Sequence, residues 1–472
     1  MTSAIAAEAP RQPARTVGGA GAGVPCVHVV VLTYNSGAFI DRCLNSVLDT
    51  DYPAFDVTVV DNDSTDGSVR NLRRDFPGVA LVETGANLGF SRGNNLAMRE
   101  ATAPFIALLN PDTEVDPGWL RPLVERLCTD PVAGGAAPKI LYLHDRVPVE
   151  LHAPTFVPGG GDTRELGVRL YADASEAAPA VVNRGAYGSE TDHDGAIFRW
   201  TGASATLAVP VVDGKARIAL DVAAGTDRND VELAVKVGGK SLAALPVAAE
   251  RTRFERDIPE DAVREFARPV IENAGIKPLP DGSMRDRGTF VTHGNVWQAW
   301  DGADFAAPRE VFAVKGGAAL FRRSMLEALD FFDPGIFMYY EDADLAWRAR
   351  RRGWRFWYEP ASVVRHAHAA SSREWSPAFI RNVEFGKLRM LAKNAPWRCA
   401  GHHAALASIH GGREIRRGLA AGDAEALARG RARASALRAA LRAMPATLRL
   451  RRTEARLGPL DARELHPFFE PE

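Results

Sequence analysis

The sequence lacks the features that mark several large protein classes. Its four cysteines lie far apart and form no CxxC pair, so neither a disulfide framework nor a structural zinc site is expected, and a reducing compartment is favoured. No run of about 18 uncharged apolar residues is present, so a membrane-spanning helix is not expected. Acidic and basic residues number 59 and 58, so overall charge indicates no particular partner.

The remaining composition is that of an ordinary globular protein. The chain has 472 residues, of which 46% are hydrophobic, and two or three compact units are expected. From Val27 to Leu143 short β-branched runs alternate with amphipathic stretches, which predicts a parallel α/β sheet with crossover helices. The predicted strands are residues 27–32, 57–60, 79–82 and 105–109.

Polar residues follow each of these strands. Ligands of open α/β sheets bind beyond the carboxyl ends of the strands, so the segments TYNS, DNDSTDGS, TGANLGFSRGNN and NPDT are candidate binding loops. Asp61 could accept hydrogen bonds from a base imide or a ribose hydroxyl. The glycines and amides of NLGFSRGNN would allow close approach to a ligand, although a capped helix start explains them equally well.

The NPDT segment contains one carboxylate, Asp112, after Asn110 and Pro111. These residues suit a β-turn as they stand. A Mg²⁺ or Mn²⁺ ion on a diphosphate takes most of its ligands from phosphate oxygens and water, so one or two protein ligands would suffice. Asp112 is then the candidate metal ligand, and Asn110 could bond a ribose or phosphate.

A second acidic cluster, Glu341, Asp342 and Asp344, follows an aromatic run. On a helix Glu341 and Asp344 share a face, so not all three acids can point at one ligand, and acids at a helix N-terminus also favour the helix dipole. Further along, His366 and His368 would face the same side of a strand, and imidazole is a competent ligand for Mn²⁺-type ions.

Two regions of the sequence do not show the α/β pattern. Between roughly 194 and 258 the residues alternate with period two, which predicts an antiparallel sandwich or jelly roll inserted into the α/β domain. From about 396 the chain is rich in Ala, Arg and Leu and is predicted to be helical. Residues 431–452 contain seven arginines and no acid. A solvated or intramolecular basic face and contact with an anionic membrane both fit this pattern.

The motifs together resemble those of glycosyltransferase family 2, whose members are inverting enzymes of the GT-A fold, and in particular its rhamnosyltransferase-like and galactofuranosyltransferase-like bacterial members. The resemblance covers roughly 27–145 and 284–395. It rests on VVLTYNS, VVDNDSTDGS, NLGFSRGNN, LLNPDT, GGAALFRR and YYEDADLAWRARRRGW, in that order.

The resemblance implies an α/β fold class: a GT-A nucleotide-sugar-binding domain with a mostly parallel twisted sheet, an inserted antiparallel β-sandwich domain and a C-terminal helical tail. The expected units are a disordered leader, the first part of the GT-A domain, the β insert, the second part of the GT-A domain and a basic helical region. Their respective limits are 1–25, 26–165, 170–265, 284–395 and 396–472.

The resemblance also implies a role for individual residues. Asp342 matches the catalytic base and Glu341 its neighbour, while Asp112 and His366 match the metal ligands. The residues expected to bind the donor are Thr33, Tyr34, Asn35, Asp61, Asn87, Gly89, Asn95 and Asn110. Two features depart from the family pattern: Arg92 stands where small residues are common, and the β insert lies outside the family's common core.

The implied function is inverting transfer of a hexose from a nucleotide-diphosphate donor to a hydroxyl of a cell-envelope glycan or lipid-linked acceptor, with Mg²⁺ or Mn²⁺. The implied location is the cytoplasm, with peripheral contact at the inner face of the cell membrane through the basic helices, and nucleic acid is not an expected partner. The alternative is a catalytically silent protein that acts as a carbohydrate-binding or scaffolding module through the β insert. A nicotinamide-dependent oxidoreductase is disfavoured because TYNSG, and no GxGxxG, follows the first strand.

Overall fold

The computed structural model describes residues 23–171, 181–192, 196–225, 228, 231–292, 295–367, 375–457 and 468. Most of the predicted leader, residues 1–22, lies outside the described residues. In chain order the strands are β1 (Val27–Thr33), β2 (Phe55–Asp61), β3 (Ala80–Glu83), β4 (Phe105–Leu109), β5 (Thr113–Val115), β6 (Ala133–Tyr142), β7 (Arg146–His152), β8 (Arg169–Tyr171), β9 (Val181–Thr191), β10 (Ile197–Val212), β11 (Lys215–Ala223), β12 (Val231–Val237), β13 (Lys240–Val247), β14 (Thr252–Asp257), β15 (Ile271–Asn273), β16 (Ile276–Pro278), β17 (Met284–Asp286), β18 (Thr289–Thr292), β19 (Asn295–Gln298), β20 (Arg309–Val311), β21 (Ala318–Arg322) and β22 (Arg355–His366).

Helices lie between and after these strands. In chain order they are α1 (Ile40–Leu48), α2 (Ser68–Asp75), α3 (Gly89–Glu100), α4 (Leu120–Thr129), α5 (Glu260–Phe266), α6 (Arg323–Ala328), α7 (Glu341–Arg350), α8 (Pro377–Asn394), α9 (Trp397–Ala421) and α10 (Ala424–Ala455), with a short 3₁₀ helix at Ala303–Phe305.

The first sheet has the strand order β20-β22-β6-β21-β4-β1-β2-β3, with β15 paired to β6 and β5 paired to β22. Strands β4, β1, β2 and β3 are parallel, whereas β21 lies antiparallel between β4 and β6. Both faces of β1 are buried, because Val29 and Val31 pack in one apolar cluster and Val30 packs in the other. Burial on both faces explains the continuous apolar runs in the sequence.

The second sheet is antiparallel, with the order β13-β12-β7-β10-β8-β11-β14 and with β9 paired to β10. Period-two side chains such as Val147, Val149, Leu233 and Val235 pack together in its apolar core. Strand β7 belongs to this sheet, since it pairs with β10 and β12. Residues 146–152 fall inside the range 26–165 expected for the first unit, so that expectation is wrong for this strand: its partners are all in the insert.

The C-terminal helices pack closely on the first domain. From α8, Arg389 Nε lies 3.0 Å from a carboxylate oxygen of Asp333, and Lys393 Nζ lies 2.7 Å from the same oxygen. From α10, Glu454 lies 2.8 Å from Arg352 at the end of α7. No helix in the described part of the chain is both long and apolar enough to span a bilayer.

The predicted fold class is confirmed by this arrangement of a mixed, mostly parallel sheet, an antiparallel insert and C-terminal helices. The predicted strands at 27–32, 57–60, 79–82 and 105–109 correspond to β1 to β4, with ends that differ by up to two residues. Apart from β7, the limits of the units stay predictions.

Candidate active site

A cavity of about 410 Å³ opens where β1, β2, β4 and β22 end. This is the carboxyl edge of the parallel strands, where ligands of open α/β sheets bind. Of the residues predicted as site residues, those that line the cavity are Thr33, Tyr34, Asn87, Asn110, Asp112, Glu341, Asp342 and His366. The structure therefore brings together side chains that are more than 300 positions apart in the sequence.

The loops after β2 and β3 are joined by Asn62, which the motif analysis did not single out. Asn62 is buried, its amide donates to Asn87 Oδ1 at 3.0 Å, and its Oδ1 accepts from the Leu88 N–H at 2.8 Å. Asn62 also lines the cavity. The only signal in the sequence was its position directly after Asp61, at the end of a buried strand.

Four predicted donor residues do not line the cavity in the described structure: Asn35, Asp61, Gly89 and Asn95. Asn35 Oδ1 accepts from the Thr65 N–H at 2.7 Å and so ties the first loop to the second. Asp61 is buried and accepts from the Ser64 N–H at 3.1 Å. Their side chains shape the loops rather than face the cavity.

Asn95 bridges two distant parts of the chain. Its amide donates to the Phe332 carbonyl at 2.9 Å, and its Oδ1 accepts from the Phe332 N–H at 3.1 Å. Both ends of the amide are thus bonded to backbone, and the expectation that Asn95 binds the donor stays a prediction. Its effect on the cavity comes through the segment 330–340, which it holds against α3.

The start of α3 approaches the same segment closely at Gly89. Gly89 has φ +77°, and a Cβ there would lie 2.5 Å from the Phe337 carbonyl oxygen. The next residue, Phe90, donates its N–H to that oxygen at 2.7 Å. Gly89 thus allows a backbone contact that any side chain would prevent. Nearby, Arg92 Nε donates to the Pro334 carbonyl at 2.8 Å, so this departure from the family pattern also supports segment 330–340.

On the other side of the cavity, Asn110 packs on Gly317. The Asn110 N–H donates to the Gly317 carbonyl at 2.7 Å, and a Cβ on Gly317 would lie 2.9 Å from the Asn110 amide nitrogen. Thr33 Oγ1 faces the cavity wall, buried, with no hydrogen-bond partner among the described residues. Tyr34 is 45% exposed and stands at the mouth.

Asp112 and His366 meet in the floor of the cavity. His366 Nε2 lies 3.2 Å from Asp112 Oδ1, and His366 Nδ1 lies 3.6 Å from Glu272 Oε1. Burial lowers the pKa of His366, but the two carboxylates outweigh it and raise that pKa above its ordinary value. His368, the other candidate of the histidine pair, lies outside the described residues.

Two further residues near the cavity, Glu272 and Lys315, were not among the site residues predicted from the sequence. Glu272 is 2% exposed, lies on β15 in a segment that no predicted unit included, and pairs with Lys315. Lys315 lines the cavity and also lies 3.4 Å from Asp286. Burial lowers the pKa of Lys315, but the two acids outweigh burial and hold that pKa well above its usual range. A fixed cation therefore faces the cavity close to His366.

Glu341 and Asp342 begin α7 and both line the cavity. Burial and the neighbouring carboxylate raise the pKa of Glu341 well above its ordinary value, and Glu341 Oε2 has no hydrogen-bond partner among the described residues. Burial raises the pKa of Asp342 to about 6, against backbone N–H donors from Ala343 and Gly316, at 2.7 and 3.3 Å, that favour its ionised form. Two acids whose pKa values are both raised by burial therefore lie side by side at the cavity.

The third acid, Asp344, does not line the cavity, so the three acids do not all point at one ligand, although helical spacing predicts that Asp344 shares a face with Glu341. It is fully buried and lies 2.9 Å from Arg348 and 2.6 Å from Lys393. The backbone before the pair is strained, because Tyr339 and Tyr340 adopt left-handed φ values of 70° and 69°. Such conformations cost about 1 to 3 kcal/mol each and are common where a site must be held in one geometry.

The residues fit a divalent metal that a diphosphate brings with it. Asp112 and His366 supply one oxygen and one nitrogen ligand from adjacent side chains. Among the described residues no group of three or more His, Cys, Asp or Glu side chains is arranged to hold a metal ion, so a metal here would need further ligands from phosphate and water.

A sheet-edge cavity, two neighbouring buried acids with raised pKa values and an acid–imidazole pair together make up a candidate enzyme site. Residues 28–152 match the family model described as Glycosyl transferase family 2. The predicted resemblance to glycosyltransferase family 2 is therefore confirmed for this part of the chain.

Two relatives illustrate the likeness. The N-acetylglucosaminyl-diphospho-decaprenol L-rhamnosyltransferase of Mycobacterium tuberculosis is 32% identical over 28% of this chain and 47% of its own length. The putative teichuronic acid biosynthesis glycosyltransferase TuaG of Bacillus subtilis is 27% identical over 28% of this chain and 54% of its own length. The matched stretch thus spans about half of each relative.

Solved structures with detectable likeness are more distant. A mannosyltransferase of Pyrobaculum calidifontis in complex with GDP-Man and Mn²⁺ is 17% identical, with a TM-score of 0.38, over 90% of this chain and 88% of that one. GalNAc-T7 with UDP, GalNAc and Mn²⁺ is 11% identical, with a TM-score of 0.40, over 79% of this chain and 49% of that one.

Proposed function

We propose that the chain transfers a sugar from a nucleotide-diphosphate donor to a hydroxyl acceptor with inversion, and that Asp342 is the general base. The observation that carries this proposal is the pair at the start of α7, where Asp342, with a pKa of about 6, lies in the cavity beside Glu341, whose pKa is also raised. A base is most effective when its pKa lies near the working pH, because it is then ionised and still accepts a proton readily.

The donor end of the cavity is formed by Thr33, Tyr34, Asn87 and Asn110, with Asn62 between the loops. Asn62 and Asn87 are held in place by their mutual hydrogen bond, and Asn110 by its packing on Gly317. A donor that fits prearranged amides loses less conformational freedom on binding. Thr33 supplies a hydroxyl without a partner among the described residues, and it is available to a ribose or base edge.

Asp112 and His366 would hold the divalent metal, Mg²⁺ or Mn²⁺. When bound, the metal supplies positive charge next to the diphosphate. Glu272 accepts a contact from His366 Nδ1 and so orients the ring toward Asp112. Lys315 adds a fixed positive charge on the same side of the cavity. These groups stabilise the negative charge that develops on the departing nucleoside diphosphate.

Asp342 takes the proton from the acceptor hydroxyl as that oxygen attacks the anomeric carbon. The C–O bond to the acceptor forms while the bond to the diphosphate breaks, and the proton ends on the Asp342 carboxylate. Glu341, whose raised pKa favours its neutral form, would donate a hydrogen bond and add no competing charge. Holding donor and acceptor in line provides much of the remaining acceleration.

The acceptor side of the cavity is apolar, with Phe337, Met338, Tyr339, Phe379 and Val383 in its wall. Tyr339 and Phe379 pack edge to face at 5.1 Å between ring centroids. This wall suits an acceptor with an apolar part. The M. tuberculosis relative is named for a decaprenol-linked acceptor, which supports a lipid-linked or cell-envelope glycan acceptor for this chain.

Peripheral contact with the inner face of the cell membrane would come from one face of α10, in a protein located in the cytoplasm. Arg438, Arg442, Arg449 and Arg452 are exposed on that face with Leu441, whereas Arg433 and Arg451 bind within the protein. Basic residues near a surface of anionic lipids are worth about 1 kcal/mol each.

Substitutions on this face test the membrane contact better than deletion of the helix, because α10 binds α7 and α8. Replacing the four exposed arginines by glutamine should release the protein from vesicles of phosphatidylglycerol and phosphatidylcholine. Arg433→Gln, which leaves the exposed face intact, is the control. Unchanged sedimentation of the fourfold variant would contradict this part of the proposal.

A donor screen tests the proposed reaction. Nucleotide release is measured from dTDP-rhamnose, UDP-galactofuranose, UDP-glucose and GDP-mannose, with Mg²⁺ and with Mn²⁺. Release from one donor in the wild type and its loss in Asp342→Asn are expected. No release from any donor, together with retained glycan binding, would favour the silent carbohydrate-binding protein instead.

A further inference from the structure

A second cavity, of about 460 Å³, lies where the insert meets the segment that returns the chain to the first sheet. Strands β7, β9 and β10 form one wall, and the end of α5, β19 and Trp300 form the other. We propose that this groove binds a neutral glycan and serves as a subsite for the acceptor chain. The acceptor part of this proposal rests on the proposed function, whereas glycan binding itself does not.

The charge in the groove is dense but balanced. Glu150 and Glu265 provide two carboxylates, and Arg184 and Arg268 provide two guanidinium groups. An anionic ligand would meet the acids and a cationic ligand the arginines, so neither is favoured overall. A neutral chain rich in hydroxyls can donate to the acids and accept from the arginines. The groove chemistry therefore matches a neutral glycan.

The aromatic residues of the groove hold the arginines in place. The Arg184 guanidinium lies 5.1 Å from the ring centroid of Trp297, and that of Arg268 lies 4.5 Å from the ring centroid of Trp300. Phe290 stacks on Trp297 at 4.4 Å. An arginine that is already fixed against a ring loses less rotamer freedom when a ligand binds.

The charged groups are also available. Within the part of the chain that the structure describes, neither arginine of the groove nor Glu265 forms an ion pair, although all three are exposed. Ion pairs elsewhere on the insert, such as Arg164 with Asp162 at 2.7 Å, show that its surface charges generally find partners. The groove thus keeps unpaired donors and acceptors beside aromatic rings, the usual composition of a binding site.

One extended segment joins the groove to the active site. Arg268 lines the groove, and four residues further along the chain Glu272 contacts His366. Residues 268 and 270 form β-bridges and 271–273 are strand β15, so the segment is extended. At roughly 3.3 Å per residue the two positions are about 13 Å apart. A polymeric acceptor could occupy both sites at once.

A glycan array tests the groove without any transfer reaction. The full-length protein is applied to a printed array of bacterial surface polysaccharides and their neutral and acidic fragments. Two variants are compared, Trp300→Ala and the double variant Arg184→Ala with Glu265→Ala, which preserves net charge and changes exposed side chains only. Arg256→Ala, an exposed arginine on β14 at the far end of the second sheet, is the matched control.

The wild type and Arg256→Ala are expected to bind neutral glycans, and both groove variants should lose binding about tenfold or more, equal to about 1.4 kcal/mol. Thermal melting identifies a variant that fails to fold, and the double variant then decides the result. Binding of no glycan, binding of acidic glycans alone, or unchanged binding in the folded groove variants would overturn the proposal. Nucleotide release, measured separately, shows whether the proposed transfer has failed instead.

Discussion

The two sides of the active-site cavity differ in how their polar side chains are used. On the donor side, Asn62, Asn87 and Asn95 are bonded to one another or to backbone, and their amides hold loops together. On the catalytic side, Glu341 and Asp342 lie side by side with raised pKa values, caused chiefly by burial. Similar sequence signals, polar residues after a strand or before a helix, thus correspond to two physical roles.

Two properties therefore distinguish supporting residues from reactive ones. A supporting side chain has its hydrogen bonds satisfied, whereas a reactive side chain has a shifted pKa. An amide with both ends bonded stabilises one loop geometry. A carboxyl group held next to another carboxyl group changes its proton affinity and can do acid–base chemistry. Substitutions on the donor side should therefore change stability, and those on the catalytic side should change rate.

The largest expected effect is that of Asp342→Asn. Loss of a general base lowers the rate by about 10² to 10⁴-fold, while the fold is retained because the amide keeps the shape of the acid. The measurement is kcat for nucleotide release in the presence of acceptor, with thermal melting as a check of the fold. Glu341→Gln is the matched control and should retain most activity, since the raised pKa of Glu341 favours a neutral side chain at this position. An equal loss of kcat in Asp342→Asn and Glu341→Gln would contradict the assignment of Asp342 alone as the base.

The second prediction concerns the metal. Asp112→Ala should weaken metal-dependent donor binding by about 10-fold to 100-fold, because it removes a ligand or its partner from His366. Asn110→Asp should be tolerated, since it adds a carboxylate beside the existing one. Calorimetric titration with the donor, with Mn²⁺ and with EDTA, measures both. The reverse pattern would return the NPDT segment to the role of a turn.

A third prediction is the pH dependence. Because Asp342 has a raised pKa of about 6, its base function is present above that pH and is lost as the pH falls through it. The rate at limiting acceptor should then fall about tenfold per pH unit below pH 6. Asp342→Asn should show a flat profile over the same range. A wild-type rate that stays constant down to pH 4.5 would exclude Asp342 as the base.

The smallest expected effect on catalysis is that of Asn95→Ala. The substitution leaves the N–H and C=O of buried Phe332 without their partners, so the free energy of unfolding should fall by about 1 to 3 kcal/mol. The KM for donor should change little, whereas Asn87→Ala, in the cavity wall, should raise it. Urea unfolding and steady-state kinetics measure the two effects. A large change of KM in a stable Asn95→Ala protein would place this side chain back among the donor contacts.

Much of the fold follows from local patterns in the sequence. β1, β2 and β4 are predicted because they are buried on both faces, and the period-two strands of the insert because one face is buried. Strand β7 was not predicted and fell inside the limits expected for the first unit, since its alternation Val147, Val149, Leu151 suits either sheet and only its pairing decides. The sequence of a single strand does not predict which distant strands it pairs with.

The residues of the candidate site could be predicted where they belong to a sequence motif. They could not be predicted where only their position in the fold brings them to the site. Asp112, Asp342 and His366 stand in recognisable segments and do line the cavity. No local sequence pattern marks Glu272 and Lys315 as site residues. Glu272 contacts both Lys315 and His366, and each of these partners is more than 40 residues away in the sequence. Asn95 matched a motif, yet its amide serves the backbone of Phe332.

The anomeric configuration of the transferred sugar tests the central claim most directly. Proton NMR of the first product formed from the donor selected in the screen reports that configuration. Direct attack by an acceptor oxygen that Asp342 has deprotonated predicts a product with the anomeric configuration opposite to that of the donor. A product that retains the configuration of the donor would contradict the account.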